Sequence, residues 1–572
     1  MSLEIPTDRR LLEQWSKEIV DECMASSDER GMVYTRATQY YYQGTYDSRA
    51  ALYNKIKSYV DKLAGMLMQP TDVRFNVTFD SFEPEDVLER AQVVGEKLSS
   101  DFKQSDCDVK FAEAVVWSLV NGCQILKITP ISQTSPGFRV DPIHPQNFGV
   151  LSETTLGLEE QEVVCHISFP TVSRLRSRLE EIRHPRANEI ITRVLQTRQQ
   201  DKDEEEPTYF HQMVVGGLQP LGNIGDPSSS PSAAGIVNVF PVPTPWRPRR
   251  KVSQTVRHCE LWVKDRDAKA EDYSVIQLVY PDIIIEGDQT RRNIGKIPGR
   301  VPFVKVQPTA TPGYFWGRSA IAEVQMLQDV LNKRLRDIKV MWDRNAAAPY
   351  ALSGFTGVTE EAYFKVISEG GFIFDPNPNA KAQKLMEPPP PNYLEELEFL
   401  FKMFDEASGF SPIMSGQGEP GVRAGVHAQT LVRTSSPRLI DQAARIERQL
   451  AETGYLGLRV MQAMDAMIYQ TETGARFLLS QLPEPFQVQV DSHSASPAFA
   501  EDNRQIAIAL ARAGVVDGED LIHMLHPPSA ELILARYRQR QKAQAAQAQE
   551  QKLEDLVTGV VGIHKQGGRS RR

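Results

Sequence analysis

Few residues in this chain are spaced as a reaction centre would need. The segment from Pro412 to Gly425, PIMSGQGEPGVRAG, satisfies G-x-G-x-x-G through Gly416, Gly418 and Gly421, and Asp441 follows twenty residues after the last glycine. That spacing can cradle a pyrophosphate and hold a ribose hydroxyl. The context is against it: a buried strand must feed such a turn, whereas acidic helical sequence precedes this one and Pro420 sits inside it. His523 and His526 stand one helical turn apart without a third ligand beside them, so no metal site is expected. There is no Walker A, HExxH or GxSxG motif, and no carboxylate pair is set apart for acid-base work. Neither an enzyme nor a cofactor nor a metal is the expectation. Arg423 and His427 remain as donors that could touch phosphate weakly.

Composition narrows the class. The 572 residues are 41% hydrophobic and 24% charged with a formal charge of -9, which suits a folded chain of several parts and not a disordered one. Five cysteines (Cys23, Cys107, Cys123, Cys165, Cys259) form no CxxC pair, so neither a disulfide framework nor a cysteine zinc site is indicated. The start MSLEIPTDRR lacks a basic region leading into an apolar core, and no apolar run approaches the roughly 18 residues of a membrane span. The expectation is a soluble protein of a reducing compartment.

The elements that must position any function follow from periodicity. Residues 1 to 70 read as helical, with one stripe through Leu11, Leu12, Trp15, Ile19 and Cys23 and another from Leu52 to Leu67. Between them Tyr40, Tyr41 and Tyr42 form a packing cluster. From Thr71 short alternating strands (Val73 to Phe79, Gln124 to Thr129, Phe138 to Val140, Phe148 to Leu151) surround helices near Pro84 to Ser100 and Val109 to Asn121. Residues 196 to 256 carry an acidic run (Asp201 to Glu206), then Gly-, Ser- and Pro-rich sequence, then the basic Arg247, Arg249, Arg250 and Lys251. They read as a surface insertion. Strands resume at His258 to Lys264, Ser274 to Pro281, Ile283 to Glu286 and Val301 to Val306.

The chain is organised around Gly317 to Asn345, a helix of roughly 43 Å with Ser319 as a plausible cap. Ile321, Val324, Leu331, Leu335, Ile338 and Trp342 recur at steps of three and four, the pattern of a seam that seeks an oligomeric partner. Residues 349 to 391 make a small excursion of strand-like pieces around a helix near Thr359 to Ser368, closed by four prolines from Pro388 that stiffen the return. A second amphipathic helix, Asn392 to Ser408, ends at Gly409 and leaves Glu395, Glu398, Lys402 and Asp405 outward. Val426 to Gln470 is a long helical tract that Pro437 should kink. Further helices are expected over Ala498 to Ala513, Asp520 to Leu525 and Ser529 to Gln551. The fold class is α+β, predominantly helical.

This order of parts resembles a tailed-phage portal protein over most of the chain. The likeness is carried by NKIKSYVDKLAGMLMQP, by the GRSAIAEVQMLQDVLNKRLRDIK helix with Gly317, Ser319, Leu327, Gln328, Leu331 and Asn332, and by the returning helix ending ASGFSPIMSG with its glycine-rich loop. The resemblance implies a wing over 1–315 (helical over 1–70, α+β over 71–315), stem helices over 316–348 and 392–411, and a clip over 349–391. It implies a tunnel loop over 412–425, a kinked helix with a short β segment over 426–497, and a crown over 498–572. Gln417, Arg423 and His427 would then meet DNA in the channel, lined also by the outward residues of the second stem helix. It further implies a homo-oligomeric ring of twelve at the virion's portal vertex, assembled in the host cytoplasm. Weakly held double-stranded DNA, the terminase large subunit, a head-completion or tail adaptor protein, the major capsid protein and scaffolding protein would be its partners. A helical structural adaptor without a channel, or an enzyme with an unrecognised site, are the other classes the sequence leaves open.

Overall fold

The computed structural model describes residues 5–46, 51–68, 73–79, 84–131, 137–181, 184–200, 256–264, 273–280, 283–286, 299–346, 350–369, 375–384, 392–409, 437–464, 468–470, 474, 476–490 and 507–514, with single positions from 518 to 540. The fold is α+β and predominantly helical, as the periodicity indicates. It divides into two units, residues 1–490 and 491–572. In the second, the described residues include a helical stretch over 507–512.

The first unit begins with three helices, α1 (Arg9–Cys23), α2 (Ser27–Gln43) and α3 (Lys55–Leu67). Asp8 accepts the Arg10 and Leu11 amides to start α1, and Asn54 accepts that of Lys57 to start α3. There follow β1 (Phe75–Phe79), α4 (Glu85–Gln104), α5 (Cys107–Asn121), β2 (Gln124–Pro130), β3 (Phe138–Ile143), β4 (Phe148–Val150) and β5 (Val163–Ser168). Then come α6 (Val172–Glu181), α7 (Ala187–Gln200), β6 (His258–Lys264), β7 (Tyr273–Val279), β8 (Ile283–Glu286) and β9 (Phe303–Val306). β5, α6 and α7 were not anticipated. The proposed insertion lies outside the described residues except at its two ends.

Two antiparallel sheets result, one ordered β3-β2-β9 and one ordered β4-β5-β6-β7-β8. One face of the larger sheet is apolar: Cys165, Ile167, Cys259, Leu261, Ile276 and Leu278 close on Trp15, Ile19 and Val20 of α1. All five cysteines are free and buried, and burial pushes their thiols above the ordinary range. α6 and α7 pack through Leu175, Leu179, Ile190 and Ile191 against Ile283 and Ile285. β1 pairs with β14 (Phe486–Val490), Phe75 opposite Val490, so the first and last strands of this unit meet in one ladder.

The remaining elements are α8 (Ile321–Ala346), β10 (Tyr350–Ser353), α9 (Glu360–Glu369), β11 (Lys381–Lys384), α10 (Tyr393–Ser408), α11 (Pro437–Met464), β12 (Ile468–Gln470) and β13 (Arg476–Leu478). Whether Pro437 kinks a longer helix depends on residues before it, which lie outside the described set.

Candidate functional site on a two-helix hairpin

The entry to α8 is fixed by a close crossing of backbone. Gly122 caps α5 with φ 94, and a Cβ there would stand 2.3 Å from the Gly317 carbonyl oxygen; at Gly317 a Cβ would stand 2.1 Å from that of Gly122. Only glycine fits on both sides. Ser319 Oγ then accepts the Ile321 amide at 3.1 Å and donates to the Val120 carbonyl, so the expected cap also ties α8 to the end of α5.

A buried polar row holds the first half of α8 against the N-terminal helices. Gln328 Nε2 donates to the Tyr53 carbonyl at 2.8 Å and to Asn332 Oδ1 at 2.9 Å, while its Oε1 accepts the Lys55 amide at 3.1 Å. Asn332 Nδ2 donates to the carbonyl of Gly44, whose φ of 70 turns the chain out of α2. Tyr40 Oη donates to Asp329 at 2.7 Å; burial first, and that carboxylate second, push the phenol up to about 12. The tyrosine cluster is packing, as expected: Tyr41 likewise donates to Asp61.

α10 runs back along α8. Tyr393 Oη donates to the Arg334 carbonyl at 2.7 Å and Arg334 pairs with Glu396 at 2.8 Å, whereas the far end of α10 meets Lys55, whose Nζ lies 2.8 Å from Asp405 and over the rings of Phe401 and Phe404. The helices are therefore antiparallel, with Gly409 closing α10 at φ 76. Between them Tyr350 pairs with Lys384 and Ser353 with Lys381, and the Asp375 carboxylate accepts the amides of Asn377, Gly357 and Thr356. Those backbone donors hold its carboxyl below the usual range.

The stripe read from the sequence is where the structure departs most from expectation. Ile321, Val324, Leu331 and Ile338 are buried within the subunit, Leu335 is half-buried and Trp342 is 66% exposed. Periodicity finds an apolar face without saying whose chain covers it; here α2, α3 and α10 cover it. Besides Trp342, Val340 and Leu394, two exposed apolar pairs sit off the stripe: Met326 (76%) and Val330 one turn apart on α8, Phe399 (61%) and Met403 one turn apart on α10. At 1.5 Å per residue, the contact of Tyr393 with Arg334 sets these two pairs at about the same height along the hairpin. Glu395, Glu398 and Lys402 are exposed, while Asp405 is engaged by Lys55. Gln417, Arg423 and His427 lie outside the described residues, as do the glycine motif, His523, His526 and the basic group at 247–251.

Among the described residues no group of His, Cys, Asp and Glu could hold a metal ion, and no helix is long and apolar enough to cross a membrane. Neither protein-family models nor curated proteins give a match to this sequence. Among solved structures, a chain of the virion of native gene transfer agent (GTA) particle is similar at 11% identity and a TM-score of 0.37, over 82% of this chain and 89% of that one.

Proposed function

We propose that this chain is the repeating subunit of a ring at the portal vertex of a tailed-phage-type capsid, through which double-stranded DNA is packaged and later ejected. The observation that supports this reading is a hairpin of two long helices whose inner face its own subunit closes, leaving Met326, Val330, Phe399 and Met403 exposed among the described residues. Large apolar side chains grouped on a surface mark a contact. The exposed charges of α10 are mostly acidic, Glu395, Glu398 and Glu406 against Lys402, whereas those of α8 are mixed, Lys333, Lys339 and Arg344 beside Asp329, Asp337 and Asp343. A match of one subunit's α8 to the next subunit's α10 is head-to-tail, and a head-to-tail contact that closes makes a ring.

The chain on this account works by assembly, not catalysis. An acidic α10 turned to the bore would repel phosphate, which suits a duplex that must slide. The β10–β11 end of the hairpin is the natural place for a packaging motor and then a tail adaptor to dock. Electron microscopy of the purified protein tests this directly: a ring with a central hole is expected, and a particle without one would favour a helical adaptor.

A further inference from the structure

The larger sheet presents a second face that the hairpin does not use. Opposite its apolar side, the register sets His166, Glu260 and Gln277 in one row across β5, β6 and β7, with Ser168 and His258 in the next row and Trp262 opposite Val164 in the one before. This polar face does not close fully on β2 and β3. Between them lies a cavity of about 480 Å³, walled at one end by Arg174 and Arg178 of α6. That is the size of a small-molecule site.

Its charges are arranged, not scattered. Burial alone would raise the Glu260 carboxyl, but the Lys127 ammonium, its Nζ at 2.5 Å, outweighs that and brings it well below the usual range, so it is ionised and answered. Burial lowers both histidines, His258 to about 4, so at neutral pH the rings are uncharged. Ser168 Oγ stands 3.2 Å from His258 Nδ1. With the serine hydroxyl donating there, the ring proton sits on Nε2. His258 Nε2 and Trp262 Nε1 are both buried without a hydrogen-bond partner among the described residues. A shut-in donor with nothing to meet is costly, because it has given up its hydrogen bond to water. Arg139 is answered by Asp141 at 2.9 Å, but Arg174 and Arg178 form no ion pair among the described residues. Beside His166 Nδ1, which is also buried without a hydrogen-bond partner among the described residues, the cavity thus presents the Trp262 N–H, the His258 Nε2 and two exposed guanidinium groups to whatever enters it.

We infer that the cavity binds a small multivalent oxyanion, of the phosphate or polycarboxylate class, with Arg174 and Arg178 meeting its charge and Trp262 and His258 donating to its oxygens. The full chain is titrated with inorganic phosphate and, separately, with citrate, against chloride at matched ionic strength, by calorimetry and thermal shift. A saturable response to at least one is expected; phosphate alone would indicate a compact tetrahedral anion, citrate alone a polycarboxylate. Replacing Arg174→Gln together with Arg178→Gln should weaken binding by about tenfold or more, since a hydrogen bond to a charged group contributes about 1.5–3 kcal/mol. Trp262→Phe, which keeps the ring and loses only the N–H, should weaken it by a smaller factor. No saturable response to either anion, or a response that these variants leave unchanged, overturns the assignment.

Discussion

The two faces of α8 are made of similar side chains and have opposite fates. On the inner face Val324, Gln328, Leu331 and Asn332 are buried, and both amides find partners between α2 and α3, at the start of α3 or on each other. On the outer face Met326 and Val330 stand exposed beside Phe399 and Met403. One face is spent on folding the subunit; the other, on the proposed account, makes the contact between subunits. Amphipathicity alone does not separate the two roles, because both faces of this helix carry large apolar residues.

The contrast is sharpened first by cutting the inner face. Leu331→Ala removes a fully buried side chain and should cost about 2–5 kcal/mol of subunit stability in urea unfolding. A loss below about 0.5 kcal/mol, the range of surface positions, would mean that the inner face is not the fold's own.

Much of this could be read from the chain itself. Ser319 and Gly409 marked helix ends that the structure repeats, because caps act within a few residues. What was hidden depends on residues far apart in sequence. The cover over the inner face of α8 comes in part from helices that end by residue 67, and β1 finds its partner at Phe486–Val490. The cavity was hidden for another reason. In VVCHIS and HCELWVK the polar residues alternate with apolar ones as on any half-buried strand, and only the register brings His166 beside Glu260. Two histidines and a glutamate at alternate positions of adjacent strands were the available signal.

The same contrast between answered and unanswered groups recurs on that sheet and gives a pH test. The unfolded His258 titrates near 6.5 and the folded one near 4, so the folded state disfavours the proton. Its contribution is full above about pH 6.5 and is lost as pH falls toward 4, by about 2 kcal/mol at pH 5. Glu452, pushed up to about 7 by burial first, changes in the opposite sense, so the comparison must be between variants. His258→Gln should flatten the difference in stability between pH 7 and 5 by that amount relative to the parent; parallel curves would contradict it.

The smallest effect belongs to the pair Arg334 and Glu396, both side chains 42% exposed. Glu396→Gln should change stability by about 0–1 kcal/mol, since solvent screens such pairs. A larger loss on thermal or urea unfolding would show that the antiparallel pairing rests on this ion pair and not on the packing around Phe401 and Phe404.

The central claim is that the outer faces of α8 and α10 join neighbouring subunits into a closed ring. Native mass spectrometry of the protein and of a Met326→Glu, Phe399→Glu double variant tests it most directly. The parent should appear as a single closed multiple of 64.3 kDa, and the variant as a folded monomer with unchanged helical content. A parent that stays at 64.3 kDa at micromolar concentration, or a variant that assembles as well as the parent, would contradict it.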